Sequence, residues 1–165
     1  MSISPEKNLK SFAPISLAEM DGIKLMNRVD KKYLTDRKRL IEILNDAAAQ
    51  GYRIFENYGE RLHGYDSVYF DTPELRMFTE HRRGKTVRQK VRTRVYRESG
   101  LCFLEVKRKN NHGRTKKKRT EAPSDCFEDF RSNEKLGLWL KDHSDYRVEG
   151  IEPSLETSFN RITLV

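Results

Sequence analysis

From Lys85 to Lys109 the chain reads KTVRQKVRTRVYRESGLCFLEVKRK, and its polar and apolar positions alternate with period two. Arg88, Lys90, Arg92 and Arg94 recur at every second residue against Val87, Gln89, Val91, Thr93 and Val95. Successive side chains of a strand point to opposite faces, so the pattern predicts a strand with cations on one face and a largely apolar or β-branched set on the other. A second run sets Phe103, Glu105, Lys107 and Lys109 against Cys102, Leu104, Val106 and Arg108, with Glu98-Ser99-Gly100 as the turn between the runs. Together they predict a basic β-hairpin. Neighbouring strands that present Lys and Arg to one space repel each other, so this face is either bathed in water or neutralised by a polyanion. Arg suits phosphate because its planar fork matches two oxygens at once, and three of the four cations of the first run are Arg.

Around the hairpin the other elements follow from their own periods. Ser16-Leu-Ala-Glu19 has the spacing of a capping box at a short helix start, with Gly22 as its stop. Leu25 to Leu34 is a strand candidate carrying Arg28, Asp30 and Lys32 at period two. Thr35 to Gln50 is a helix, with Thr35 as N-cap, Leu40, Ile41, Leu44, Ala47 and Ala48 as a core stripe, and Gly51 as the stop. Tyr65 to Phe70 reads as a strand, and Thr72-Pro73 as the start of a short helix ending near His81. After the turn Asn110 to Gly113, Arg114 to Glu121 returns as a third basic run in which both parities are basic, so no face can be assigned. Ser124 to Asp142 is helical in two pieces, with Phe127, Phe130, Leu136, Trp139 and Leu140 forming a satellite core. Ser158 to Val165 alternates as a strand and ends in mid-pattern, which leads us to expect a fragment or a sheet completed by something else, a second copy pairing at the open edge included.

Composition sharpens the ligand class. The chain has 165 residues and 33 Lys+Arg against 25 Asp+Glu, a net charge of +8, which points to anionic partners. Cys102 and Cys126 are the only cysteines and lie far apart in sequence, so neither a disulfide framework nor a cysteine metal site is implied. The four histidines have no metal-ligand spacing, and Gly-rich phosphate loops and nucleophile elbows are absent. With no apolar run of membrane-spanning length and no signal-like start, the expected location is cytoplasmic.

In order, the segments NRVDKKYL, YDSVYFDTPEL, KVRTRVY, FLEVKRK and FNRITLV resemble the vacuolar transporter chaperone (VTC) domain. This is the polyphosphate polymerase branch of the CYTH, or triphosphate tunnel metalloenzyme, superfamily. The resemblance runs from about Met26 to Val165. It implies an α+β fold in which an antiparallel β-barrel with flanking helices encloses a basic tunnel, here lacking its last strands. Residues 1–24 would form an N-terminal segment with a short helix, and 25–165 the tunnel domain. By the same resemblance the ligand is ATP, triphosphate or polyphosphate with Mn2+ or Mg2+, and the γ-phosphate of ATP passes to a growing polyphosphate chain.

Matched motif by motif, Lys32 corresponds to the basic residue of the family's first strand, Arg92 and Arg94 to its paired arginines, Lys107 to the lysine after a glutamate, and Arg161 to a late arginine. Lys90 and Lys109 join them on parity alone. Asp30 and Glu105 are candidates to orient these cations or assist the metal. Where the superfamily's hydrolases carry paired glutamates, this chain has Arg28-Val-Asp30, which favours the polymerase branch; the family's principal metal-binding glutamate is expected beyond Val165. Two other readings stand beside this one. A tunnel-fold triphosphatase would use the same clamp with water as the nucleophile. A non-catalytic module binding polyphosphate or nucleic acid would use the basic arm at Arg114 to Arg119, but nucleic acid is disfavoured because the cation face is expected to carry no aromatic platform.

Overall fold

The computed structural model describes residues 6–21 and 31–165, which fall into two compact units, 6–21 and 31–63 with 161–165, and 64–160.

The first unit holds α1 (Glu6–Leu9), β1 (Ala13–Ile15), α2 (Leu17–Asp21), α3 (Arg37–Ala49) and β2 (Arg53–Phe55). The capping box is formed as expected: Glu19 Oε2 accepts from the Ser16 amide at 2.9 Å and from its hydroxyl at 2.8 Å. These contacts and Arg53 hold the exposed Glu19 carboxyl down at about 2. The expected cap of α3 moves by one residue. Asp36, not Thr35, accepts from the Arg39 amide, at 2.8 Å, because its extended backbone places the carboxylate over the first free amides. Of the predicted α3 stripe Leu40, Leu44, Ala47 and Ala48 share a core cluster with Leu9, Phe12 and Ile54, and Ile41 stays outside it.

Two expectations for this unit fail. Residues 31–34 carry no strand, and Tyr33 and Leu34 are 83% and 103% exposed, with no sheet partner to bury them. The rest of that candidate strand, Asp30 included, lies outside the described residues. At the other end, the strand expected over Ser158 to Val165 begins earlier and stops at Arg161. Val165 does not hang at an open edge: its amide and carbonyl exchange hydrogen bonds with Arg53, each at 2.9 Å, while Ile162 and Leu164 join the core of this unit.

The second unit is built on β3 (His63–Asp71), β4 (Arg88–Tyr96), β5 (Cys102–Lys109), β6 (Thr115–Ala122) and β7 (Glu152–Arg161), with α4 (Arg76–Arg82) and α5 (Glu134–His143). The strands form one sheet in the order β6-β5-β4-β3-β7, with antiparallel ladders from β3 through β6. The expected α+β architecture on an antiparallel sheet is present. Among the described residues the sheet is open, with β6 and β7 as its edges, and does not close into a barrel.

The hairpin turn falls where the sequence placed it, with Gly100 at φ +67°, a conformation that other residues adopt at a cost. The start of α4 does not. The helix begins at Arg76, with Thr72-Pro73-Glu74 as a turn before it: Asp71, 4% exposed, accepts from the amides of Met77 at 2.7 Å and Phe78 at 2.8 Å, and the expected cap Thr72 accepts from the Arg76 amide at 3.2 Å. Val68, Phe70, Val91, Leu104 and Val106 on one sheet face pack against Phe130, Leu136 and Leu140. Of the two predicted helical pieces the first shrinks to a 3-10 turn over Ser124–Cys126, and the second is α5.

Candidate phosphate-binding face

The other face of the sheet carries the cations. Strand register arranges them in rows. One row runs Tyr69, Arg92, Glu105, Arg119 from β3 to β6; beside it lie Lys90, Lys107 and Lys117, and then Ser67, Arg94, Phe103 and Glu121. Parity therefore predicted the β4 and β5 members correctly, and register decides what sequence left open in β6. Lys117 and Arg119 stand on the face of Glu105, whereas Lys116 and Lys118 pair with Arg108 and Val106 and so belong to the opposite face.

Glu105 is the pivot. It is 2% exposed, and its Oε2 accepts from Arg92 Nε at 2.7 Å and lies 2.6 Å from Nη2. The Lys117 ammonium closes on Oε1 as an ion pair. Burial alone would raise the Glu105 pKa, but Lys117 and Arg92 outweigh it and hold the carboxyl below its ordinary value. Burial also works against the charge of Arg92, and there the Glu105 carboxylate prevails and raises the guanidinium pKa. Arg92 Nη1 donates to the Tyr69 hydroxyl at 3.0 Å, which completes its fixation. For Lys117 burial prevails over the pull of Glu105, and the charges of Arg92 and Arg119 add to it, so its pKa is lowered.

Arg94 is held differently. Its Nε donates to the buried Ser67 hydroxyl at 2.9 Å, and its guanidinium carbon lies 5.2 Å from the Tyr65 ring centre and 5.5 Å from that of Phe159. Arg119 likewise lies 4.6 Å from the centre of the Phe103 ring. Ring faces fix a guanidinium without neutralising it. Burial, and then the like charge of Arg92, lower the Arg94 pKa against the opposing pull of Glu105. The face thus holds two kinds of cation: Arg92 and Lys117 share one carboxylate, and Arg94 and Arg119 rest on aromatic rings.

These rings overturn the expectation that the cation face lacks aromatics. Tyr96 and Phe103 share the parity of Arg94 and Glu105, and β3 and β7 add Tyr65, Tyr69 and Phe159. Sequence reasoning missed Lys117, Arg119, Tyr69, Ser67 and Phe159 as neighbours of the site. Only Tyr96 and Phe103 were readable from spacing, because the others depend on which strands are adjacent.

The remaining predicted site residues are distributed as follows. Lys90 lies on the same face at the partly buried centre of β4, and Lys107 and Lys109 lie on β5. Lys32 and Arg161 are exposed residues of the first unit and are not among the side chains that the second unit brings together. No group of three or more His, Cys, Asp or Glu able to hold a metal occurs among the described residues. On Glu105 one oxygen is taken by Arg92 and the other by the ion pair with Lys117.

Comparison with known proteins places the chain. No protein of curated function matches it. Among solved structures, a Vibrio parahaemolyticus protein provisionally described as an adenylate cyclase is similar at 10% identity and a TM-score of 0.44, over 79% of this chain and 57% of that one. Among the described residues no helix is long and apolar enough to cross a membrane. The family model of the VTC domain matches residues 27–165, most of the chain's length. The chain belongs to the VTC domain family.

Proposed function

We propose that this chain is a triphosphate-binding module whose basic sheet face clamps ATP, tripolyphosphate or polyphosphate, in the manner of a polyphosphate polymerase. The observation that carries the reading is the Arg92 and Arg94 pair, fixed side by side on one face with Lys117 and Arg119 reaching in from β6. Membership of the VTC family supports a phosphate-rich ligand, and the Arg94 guanidinium, fixed by Ser67 and two rings, supports an anion. Phosphoryl transfer asks mainly that phosphates be positioned and their charge offset, and a fixed array of Arg and Lys provides both. In this reading Arg92, Arg94, Lys90, Lys107, Lys109, Lys117 and Arg119 contact phosphate. Glu105 orients Arg92 and Lys117 and does not ligate metal. Mg2+ or Mn2+ enters as a counterion of the bound phosphates.

The test is a titration with tripolyphosphate beside a single-stranded oligonucleotide of similar charge, at two salt concentrations. Tight tripolyphosphate binding that survives added salt better than oligonucleotide binding supports the clamp. Equal affinities that collapse together as salt rises refute it, because a diffuse basic surface behaves that way. Replacing Arg92 and Arg94 together by Ala is expected to abolish tripolyphosphate binding while leaving the circular dichroism spectrum unchanged. With ATP and metal supplied, a lengthening phosphate chain identifies a polymerase and free orthophosphate a hydrolase.

A further inference from the structure

The third basic run, which is basic on both parities, holds cations that the phosphate clamp does not use. Between Glu105 and Glu121 the chain has eight Lys and Arg and no Asp or Glu. β5 and β6 gather them into a hairpin, with Arg108 opposite Lys116 and Lys107 opposite Lys117. Like charges directly opposite one another are destabilising, so the packing of the sheet does not account for them. Arg108 pairs with Asp145, and Lys117 with Glu105. Among the described residues Arg114, Lys116 and Lys118 have no carboxylate partner, and all three are exposed. Lys116 and Lys118 stand on the face away from Glu105, and Arg114 lies in the loop that joins the two strands.

We propose that Arg114, Lys116 and Lys118 dock this end of the hairpin on an anionic lipid bilayer. The shape of the end favours a surface over a groove. β4 runs alongside to the last pair, Arg88 standing opposite Lys109 and Lys109 opposite Thr115, so the end is three strands wide and not a free ribbon. Its outer backbones lie about 10 Å apart before side chains are added, whereas a DNA major groove about 12 Å wide admits a helix or two strands. Single-stranded nucleic acid needs ring faces, and the paired positions from Lys107 to Thr115 carry none. Phe103 lies at the far end of the hairpin, opposite Glu121. An anionic bilayer asks only that several cations reach it together, each adding to the attraction without a defined pocket. Because Lys116 and Lys118 point away from Glu105, docking through them leaves the face of Arg92 and Arg94 uncovered.

The competing role for these cations is to guard an edge strand against pairing with other chains. The experiment sediments the whole chain with vesicles of phosphatidylcholine alone and of phosphatidylcholine mixed with phosphatidylglycerol. The wild type is expected to sediment with the mixed vesicles only, and less so as salt rises. Replacing Arg114, Lys116 and Lys118 together by Gln should weaken that binding about 100-fold. Each single Gln variant should carry part of the loss, which keeps the test decisive should the triple variant misfold. Lys116→Arg with Lys118→Arg keeps the charge and should retain binding. Arg92→Ala with Arg94→Ala should retain it too, since the bilayer meets the other face. A wild type indifferent to phosphatidylglycerol overturns the proposal. Gln variants that bind as the wild type does also overturn it, and their self-association would assign the cations to guarding the edge. Loss of binding in the Arg92 and Arg94 variant alone overturns it in favour of lipid headgroups held by the phosphate clamp. A short DNA duplex that binds the wild type more tightly than the mixed vesicles, and not the triple variant, overturns it in favour of nucleic acid.

Discussion

Strands β4 and β5 are covered on one side by apolar side chains and loaded on the other with cations, and the two faces are stabilised in opposite ways. On the core face Val91, Leu104 and Val106 are 0%, 0% and 1% exposed, and the polar exceptions are satisfied: Thr93 donates to the Phe127 carbonyl, and Gln89 bonds with Ser144 and Asp145. Burial there is favourable without any ligand. On the cation face neighbouring side chains repel, as where Lys90 stands opposite Lys107 and Lys107 opposite Lys117. Glu105 offsets part of that repulsion and the rings offset none of its charge. The lesson is that one sheet divides its labour by face: the apolar side provides stability, and the other holds like charges together at a cost.

The sharpest way to break the comparison is to damage the core side. Leu104→Ala is expected to cost about 2–5 kcal/mol in urea unfolding, since a fully buried side chain leaves a cavity. Its ligand affinity, measured where the protein is still folded, should stay near that of the wild type.

Next comes the pivot of the other face. Glu105→Gln leaves Arg92 and Lys117 without their anion and is expected to cost about 1–3 kcal/mol. Because net positive charge rises, added tripolyphosphate should raise the melting midpoint of this variant more than that of the wild type. A smaller rise would mean that Glu105 serves something other than orienting cations.

Arg94→Met should move stability little, because no carboxylate loses a partner, and should weaken tripolyphosphate binding about 10–100-fold, the worth of one or more charge-assisted hydrogen bonds. A large loss of stability with unchanged affinity would reverse the roles assigned to the two faces.

Acid titration refines the same point. The Glu105 carboxyl is depressed below its ordinary 4.5 in the folded chain, so its contribution is complete above that pH and is lost as pH falls through the depressed value. The unfolding free energy of the wild type should thus decline below pH 4.5 more steeply than that of Glu105→Gln.

The smallest effect is expected away from both faces. Arg39 pairs with Glu42 at 2.8 Å in an exposed position on α3, and Arg39→Ala should leave the midpoint unchanged within measurement.

What the sequence by itself determined was local. Period two placed Arg88, Lys90, Arg92 and Arg94 on one face because strand geometry requires it, the Ser16–Glu19 spacing specified its own cap, and the apolar stripe at helical spacing declared α3 a core helix. The order of five short motifs was enough to point to the VTC family. Only the tertiary structure decided what depends on which strands are neighbours. β6 is basic on both parities, so its register with β5 alone could assign Lys117 to Glu105 and Lys116 to the other side. At the start of α4 the Thr72 hydroxyl takes the Arg76 amide, and Asp71 joins it because β3 delivers a buried carboxylate to amides six and seven residues on. Phe159 lies more than sixty residues from Arg94 in sequence, and it became part of the cation face only because β7 lies against β3. Such contacts are set by the lateral order of strands, and the alternation within any one strand carries no record of that order.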